Sequence, residues 1–121
     1  MTNYAQLDLA ADAAQALETI RQQSATQRVL VFKKSPICPT SSMAERELRL
    51  WLDTVGSDDD VTLAMIDVIA QKPLARGLTK ELGIQHESPQ ALWFSGGELK
   101  AHDSHGALTT ARFDAWKAGN F

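Results

Sequence analysis

The chain has 121 residues, of which 44% are apolar and 22% charged. That mixture suits a single folded domain with a sizeable core and excludes general disorder. A net charge of −3, with Lys33-Lys34 as the one adjacent basic pair, excludes a duplex-binding protein, which would carry a basic excess or stripe.

No stretch approaches the roughly 18 apolar residues that span a bilayer, so no membrane partner is expected. Met1 to Ala14 has no basic or apolar leader region and contains two aspartates, so a secretory signal is not expected either. There is no internal repeat and no low-complexity segment. Ala13, Ala16, Leu17 and Ile20 recur at helical spacing and predict a first helix over about Leu9 to Gln23, ended by Ser24-Ala25-Thr26. Arg28 to Phe32 is a short β-favouring run, apolar on both faces, as in an interior strand. After a loop around the cysteine, Ala44, Leu48, Trp51, Leu52 and Val55 fall on one helical face, with Gly56 as the stop. Ser57 to Asp60 is an acidic turn, and Val61 to Ile69 a second apolar strand with Asp67 near its end.

Pro73 fits the first turn of a third helix with Leu74, Leu78 and Leu82 inward and Gly83 as C-cap. Ala91 to Ser95 is a third strand. Gly96-Gly97 turns it into a fourth, about Glu98 to His102. Thr109 or Thr110 caps a final helix containing Phe113 and Trp116. The order α-β-α-β-α-β-β-α predicts parallel strands joined by right-handed crossovers plus an antiparallel edge. This is a three-layer α/β domain with a four-stranded mixed sheet.

The main chemical signal is Lys33-Lys34-Ser35-Pro36-Ile37-Cys38-Pro39-Thr40-Ser41-Ser42. Pro39 fits the first helical position, which puts Cys38 at or beside the N-cap. There the helix amides favour thiolate over thiol and make the sulfur a nucleophile, with Lys33 and Lys34 adding positive potential. Ser42-Met43-Ala44-Glu45 matches a capping box and offers a later helix start, a turn beyond Cys38. Ser41 stands where a Cys-x-x-Cys protein places its second thiol. A hydroxyl can hydrogen-bond the thiolate but cannot resolve a mixed disulfide; equally, Ser41 could serve only as a cap.

Cys38 is the sole cysteine, so disulfide chemistry must recruit an external sulfur. A lone cysteine is often just a small buried apolar residue. The flanking prolines, the Thr-Ser-Ser run and the helix start favour a reactive one. An unpaired cysteine without an export signal fits the reducing cytoplasm. His86, His102 and His105 could join Cys38 around zinc, but their spacings match no ligand motif, and no metal is expected. Ser88-Pro89, leading into a strand, is a candidate cis peptide.

The cysteine segment, together with His86-Glu87-Ser88-Pro89-Gln90, the Gly96-Gly97 turn and Ser104-His105, resembles the monothiol bacilliredoxins, the YtxJ-like proteins, over roughly Val29 to Thr110. Lys34 stands where a histidine is common. Ile37 and Thr40 stand where threonine and isoleucine are more usual. The resemblance implies a thioredoxin-like α/β/α sandwich in which Pro89 is a cis-proline facing the cysteine loop, with Pro39, Thr40, Ser88 and His105 also bordering the substrate. The implied activity is thiol–disulfide exchange through Cys38, helped by Ser41 and Lys34, on client proteins carrying bacillithiol or a similar low-molecular-weight thiol. The small thiol is then a co-substrate, no cofactor is tightly bound, and a dithiol reductase is a candidate partner. Two alternatives remain: an iron–sulfur carrier bridging two chains through one cysteine each, and a client-binding module with an inert cysteine.

Overall fold

The computed structural model describes residues 5–55 and 61–121. The elements run β1 (Ala5–Gln6), α1 (Ala13–Ser24), β2 (Arg28–Lys34), α2 (Pro39–Val55), β3 (Val61–Asp67) and α3 (Lys72–Leu82). They continue with β4 (Gln90–Ser95), β5 (Glu98–Ser104), a 3₁₀ turn (His105–Ala107) and α4 (Thr110–Lys117). One five-stranded sheet has the order β1-β3-β2-β4-β5. β1, β3 and β2 are parallel, while β4 and β5 run antiparallel.

The sheet therefore has five strands rather than the expected four. The addition is the two-residue β1, paired Ala5 to Thr62 and Gln6 to Leu63. Both of its residues are exposed, so no buried face marks the segment in the sequence. The central strand β2 reaches Lys34 and β5 reaches Ser104, each two residues beyond the segment expected from the sequence. The first helix begins at Ala13, because Asp12 is its N-cap and accepts the Gln15 N–H at 3.0 Å. The expected stop at Gly56 and the acidic turn of Ser57 to Asp60 lie outside the described residues.

Alternation along β2 divides the core in two. Val29 and Val31 face α1 and α3 with Ile20, Leu74, Leu78 and Phe94. Leu30 and Phe32 face α2 and α4 with Leu48, Trp51, Trp93, Phe113 and Trp116. This is the expected three-layer arrangement. Gly83 caps α3 in the left-handed conformation. Gly96 and Gly97, with φ of 62° and 79°, make the β4–β5 turn of the kind that matches strand twist.

This topology collects one end of the sheet. The C-terminal ends of β2 and β3 lie beside the N-terminal end of β4, with Lys33 opposite both Ile66 and Gln90. Gln90 in turn pairs with Ser104 at the end of β5.

Candidate active site

At that end the chain leaves β2 and enters α2. The helix starts at Pro39, and the Cys38 carbonyl accepts the Ser42 N–H at 3.1 Å. Cys38 is thus the N-cap residue, beside amides with no intrahelical partner. The alternative start at Ser42 is not taken. Glu45, which would complete its capping box, lies 3.5 Å from the Lys34 ammonium and 2.7 Å from Arg49. Cys38 is partly exposed rather than buried in the core.

Two residues expected to act on the sulfur have other partners here. Ser41 is 1% exposed, and its hydroxyl accepts the Ser35 N–H at 2.8 Å, bracing the cysteine loop. As the acceptor in that bond it keeps its own proton to give. The Lys34 charge is shared with Glu45 and also acts on Asp67 at the end of β3. The Asp67 carboxylate accepts N–H groups from Ile69 and Ala70 at 2.9 and 3.0 Å. The Ala70 amide first, then that of Ile69, holds the carboxyl below its ordinary range.

Lys33 is not the surface charge that its neighbour suggests. Alternation turns it toward the α1–α3 side, where it is 0% exposed. Its ammonium donates to Gln90 Oε1 at 2.6 Å and meets His86 Nδ1 at 2.7 Å. Burial foremost, then the Arg76 charge, lowers its pKa from 10.5 to about 8, with Glu87 pulling the other way. The His86 ring is likewise held below its ordinary pKa, by burial first and then by Lys33 and Arg76. A hydrogen bond with the Ala75 backbone opposes this. A neutral imidazole therefore accepts the lysine proton donor. Gln90, also buried, takes the Glu87 N–H and donates to the Gln85 carbonyl at 2.9 Å.

The Ser88–Pro89 bond is cis. The Pro89 carbonyl accepts the His105 N–H at 3.1 Å, which joins the proline loop to the 3₁₀ turn. His105 has φ of 55°, and its ring lies 4.0 Å from Glu87, which also accepts the Ser104 hydroxyl.

Two cavities each take two of the eight sequence-derived site residues, and Lys34, Pro39, Ser41 and Pro89 line neither. One, of about 420 Å³, is lined by Cys38, Ser35, Ser88, Lys72, Arg76 and His86, with Val68 and Ile69. The other, of about 440 Å³, lies along α2 and the 3₁₀ turn and is lined by Thr40 and His105 among others. Both volumes lie in the range of small-molecule sites. Pro39 is exposed at the first position of α2. Sequence reasoning missed Lys72 and Arg76 and assigned His86 no role at the site. The i,i+4 spacing of Lys72 and Arg76 on a helix whose other face is apolar was the one available sign.

Comparison with known proteins agrees with this architecture. Among solved structures, a thioredoxin-fold chain assigned as an oxidoreductase superposes with a TM-score of 0.72 at 24% identity, covering 95% of this chain and 94% of that one. The thioredoxin of Malassezia sympodialis, Mala s 13, gives 0.66 at 16% identity, covering 96% and 90%. Thioredoxin O2 of Arabidopsis thaliana in its oxidized state gives 0.66 at 14%, covering 98% and 94%. The fold is that of thioredoxin. Within that class the profile of the family Monothiol bacilliredoxin BrxC matches residues 10–113, and the chain belongs to this family. Fold and family together support a redox thiol function.

Proposed function

We propose that this protein is a monothiol thiol–disulfide oxidoreductase that removes bacillithiol, or a similar low-molecular-weight thiol, from mixed disulfides on client proteins. The observation that carries the reading is the setting of its only cysteine. Cys38 caps α2, is partly exposed and opens onto a cavity. The Cys38 thiolate attacks the small-thiol sulfur of a protein–thiol mixed disulfide. The S–S bond breaks, the client leaves as thiolate and takes up a proton, and the small thiol stays bound to Cys38 as a new disulfide. A second small-thiol thiolate then attacks that disulfide, releasing Cys38 as thiolate and the small thiol as its symmetrical disulfide. A dithiol reductase partner can regenerate Cys38 instead, its two thiols closing to a disulfide while the small thiol leaves reduced.

The surroundings suit a protein client. Ile37, beside the cysteine, is 81% exposed, and Met43 and Ile69 are also exposed. Such apolar side chains around a reactive group suit contact with a partner surface. Ser41, which keeps a proton to give, would hydrogen-bond the developing thiolate once the loop adjusts. Ser88 and Pro89 border the substrate on one side of the sulfur, and Thr40 and His105 on the other.

Cys38→Ser is expected to abolish release of the small thiol from a thiolated client, read by intact mass of the client. Retained release would refute the mechanism. The wild-type protein isolated without reductant is expected to carry a small-thiol adduct on Cys38, whose mass identifies the thiol.

A further inference from the structure

The wall of the Cys38 cavity has a charge pattern that disulfide exchange alone does not require. Lys72 and Arg76 lie one turn apart on α3 and both line it. Neither has an ion-pair partner among the described residues, and no carboxylate lines the cavity there. The nearest acids are otherwise engaged. Asp67 is held by two backbone amides, and Glu87 by Ser104 and His105. Lys33 adds further positive charge from beneath, next to His86. An independent observation points to a ligand: Ser88 Oγ, on the same wall, is shielded from solvent and has no hydrogen-bond partner among the described residues. Buried hydroxyls are normally satisfied, so this one, in a residue lining the same cavity as the two cations, has a hydrogen bond still to give.

We propose that Lys72, Arg76 and Ser88 form an anion subsite that selects the small-thiol half of the mixed disulfide by its negative charge. The inference rests on the exchange reading and adds which half of the substrate enters this cavity. The two cations take carboxylate groups of the thiol, and Ser88 donates a hydrogen bond to one of their oxygens. The sulfur of that thiol is thereby held beside Cys38, and the client leaves from the more apolar side lined by Ile37. No additional bond chemistry is involved, since the subsite acts on binding and orientation before the exchange step.

The test compares rates of Cys38 with two chromogenic aryl disulfides, the dianionic dithionitrobenzoate and the neutral dithiodipyridine, at low and high salt. The wild-type protein is expected to favour the dianion, with the preference falling as salt rises. Lys72→Glu and Arg76→Glu are each expected to lower the dianion-to-neutral rate ratio about threefold, and the pair about tenfold, as for partly exposed ion pairs. Lys100→Glu carries the same charge change on β5, away from the cavity, and is expected to leave the ratio unchanged. A non-thiol dicarboxylate should protect Cys38 saturably in the wild type and weakly in the double variant. An equal ratio in wild type and double variant, or an equal fall with Lys100→Glu, overturns the subsite while leaving exchange intact. If neither disulfide reacts with Cys38, the exchange reading fails and the subsite with it.

Discussion

Lys33 shows how one position can reverse its expected role. Beside Lys34 it looks like half of a surface pair. Strand alternation instead sends it inward, onto Gln90 and His86. A buried ammonium stabilises the fold less than an exposed one, and the folded-state pKa of about 8 lies below the ordinary 10.5. Between those two values the unfolded chain binds more protons, so the contribution of this residue to stability rises with pH across that window. Comparing wild type with Lys33→Met by urea unfolding, the difference should move in favour of the wild type by about 2 kcal/mol from about pH 7 to about pH 9.5. A difference independent of pH would mean that Lys33 titrates normally.

At the scale of elements, the contact between α1 and α3 is set by a single missing side chain. A Cβ on Gly77 would lie 2.5 Å from the Cβ of Ala13, and neither atom can move without its helix. Gly77→Ala gains about 1 kcal/mol in helix propensity but forces the two helices apart, at a cost of about 1–3 kcal/mol. Net destabilisation of about 1 kcal/mol is expected from chemical unfolding. Because α3 carries Lys72 and Arg76, the same variant should also disturb the Cys38 cavity. An unshifted or raised midpoint would show that the helices have room to adjust.

Across the whole molecule, the sheet separates two cores of different composition. All three tryptophans lie on the α2–α4 side, where Trp51, Trp93, Phe113 and Trp116 touch through centroids 5.7 to 6.3 Å apart. The α1–α3 side is built mainly from aliphatic residues and Phe94. Tryptophan fluorescence therefore reports on one layer, while circular dichroism reports on all of them. A domain this small is expected to unfold as one unit, so Leu78→Ala, made in the tryptophan-free core, should lower the fluorescence midpoint. The shift should match a loss of about 2–5 kcal/mol and coincide with the circular dichroism transition. Separate transitions would show that the layers are not cooperative. Among the described residues no helix is long and apolar enough to cross a membrane.

Much of this was written locally. The helix faces, the Gly83 cap, the Gly96-Gly97 turn and the Cys38-Pro39 helix start depend on patterns that fit within a turn or a strand, and each formed as its residues indicate. The place of Cys38 at the helix start was legible for the same reason, since an N-cap is set by the residues that follow it in the chain. What tertiary structure decided lies where separate segments meet. The crossover after β3 lays α3 against the sheet and brings Lys72 and Arg76 to the cysteine. Alternation buries Lys33 against residues of β4 and the loop before it. The loop geometry gives the Ser41 hydroxyl to Ser35, and an exposed dipeptide joins the sheet as β1. A side chain's own neighbours set its conformation, but only packing decides which charges share a cavity, because that depends on how distant elements are stacked.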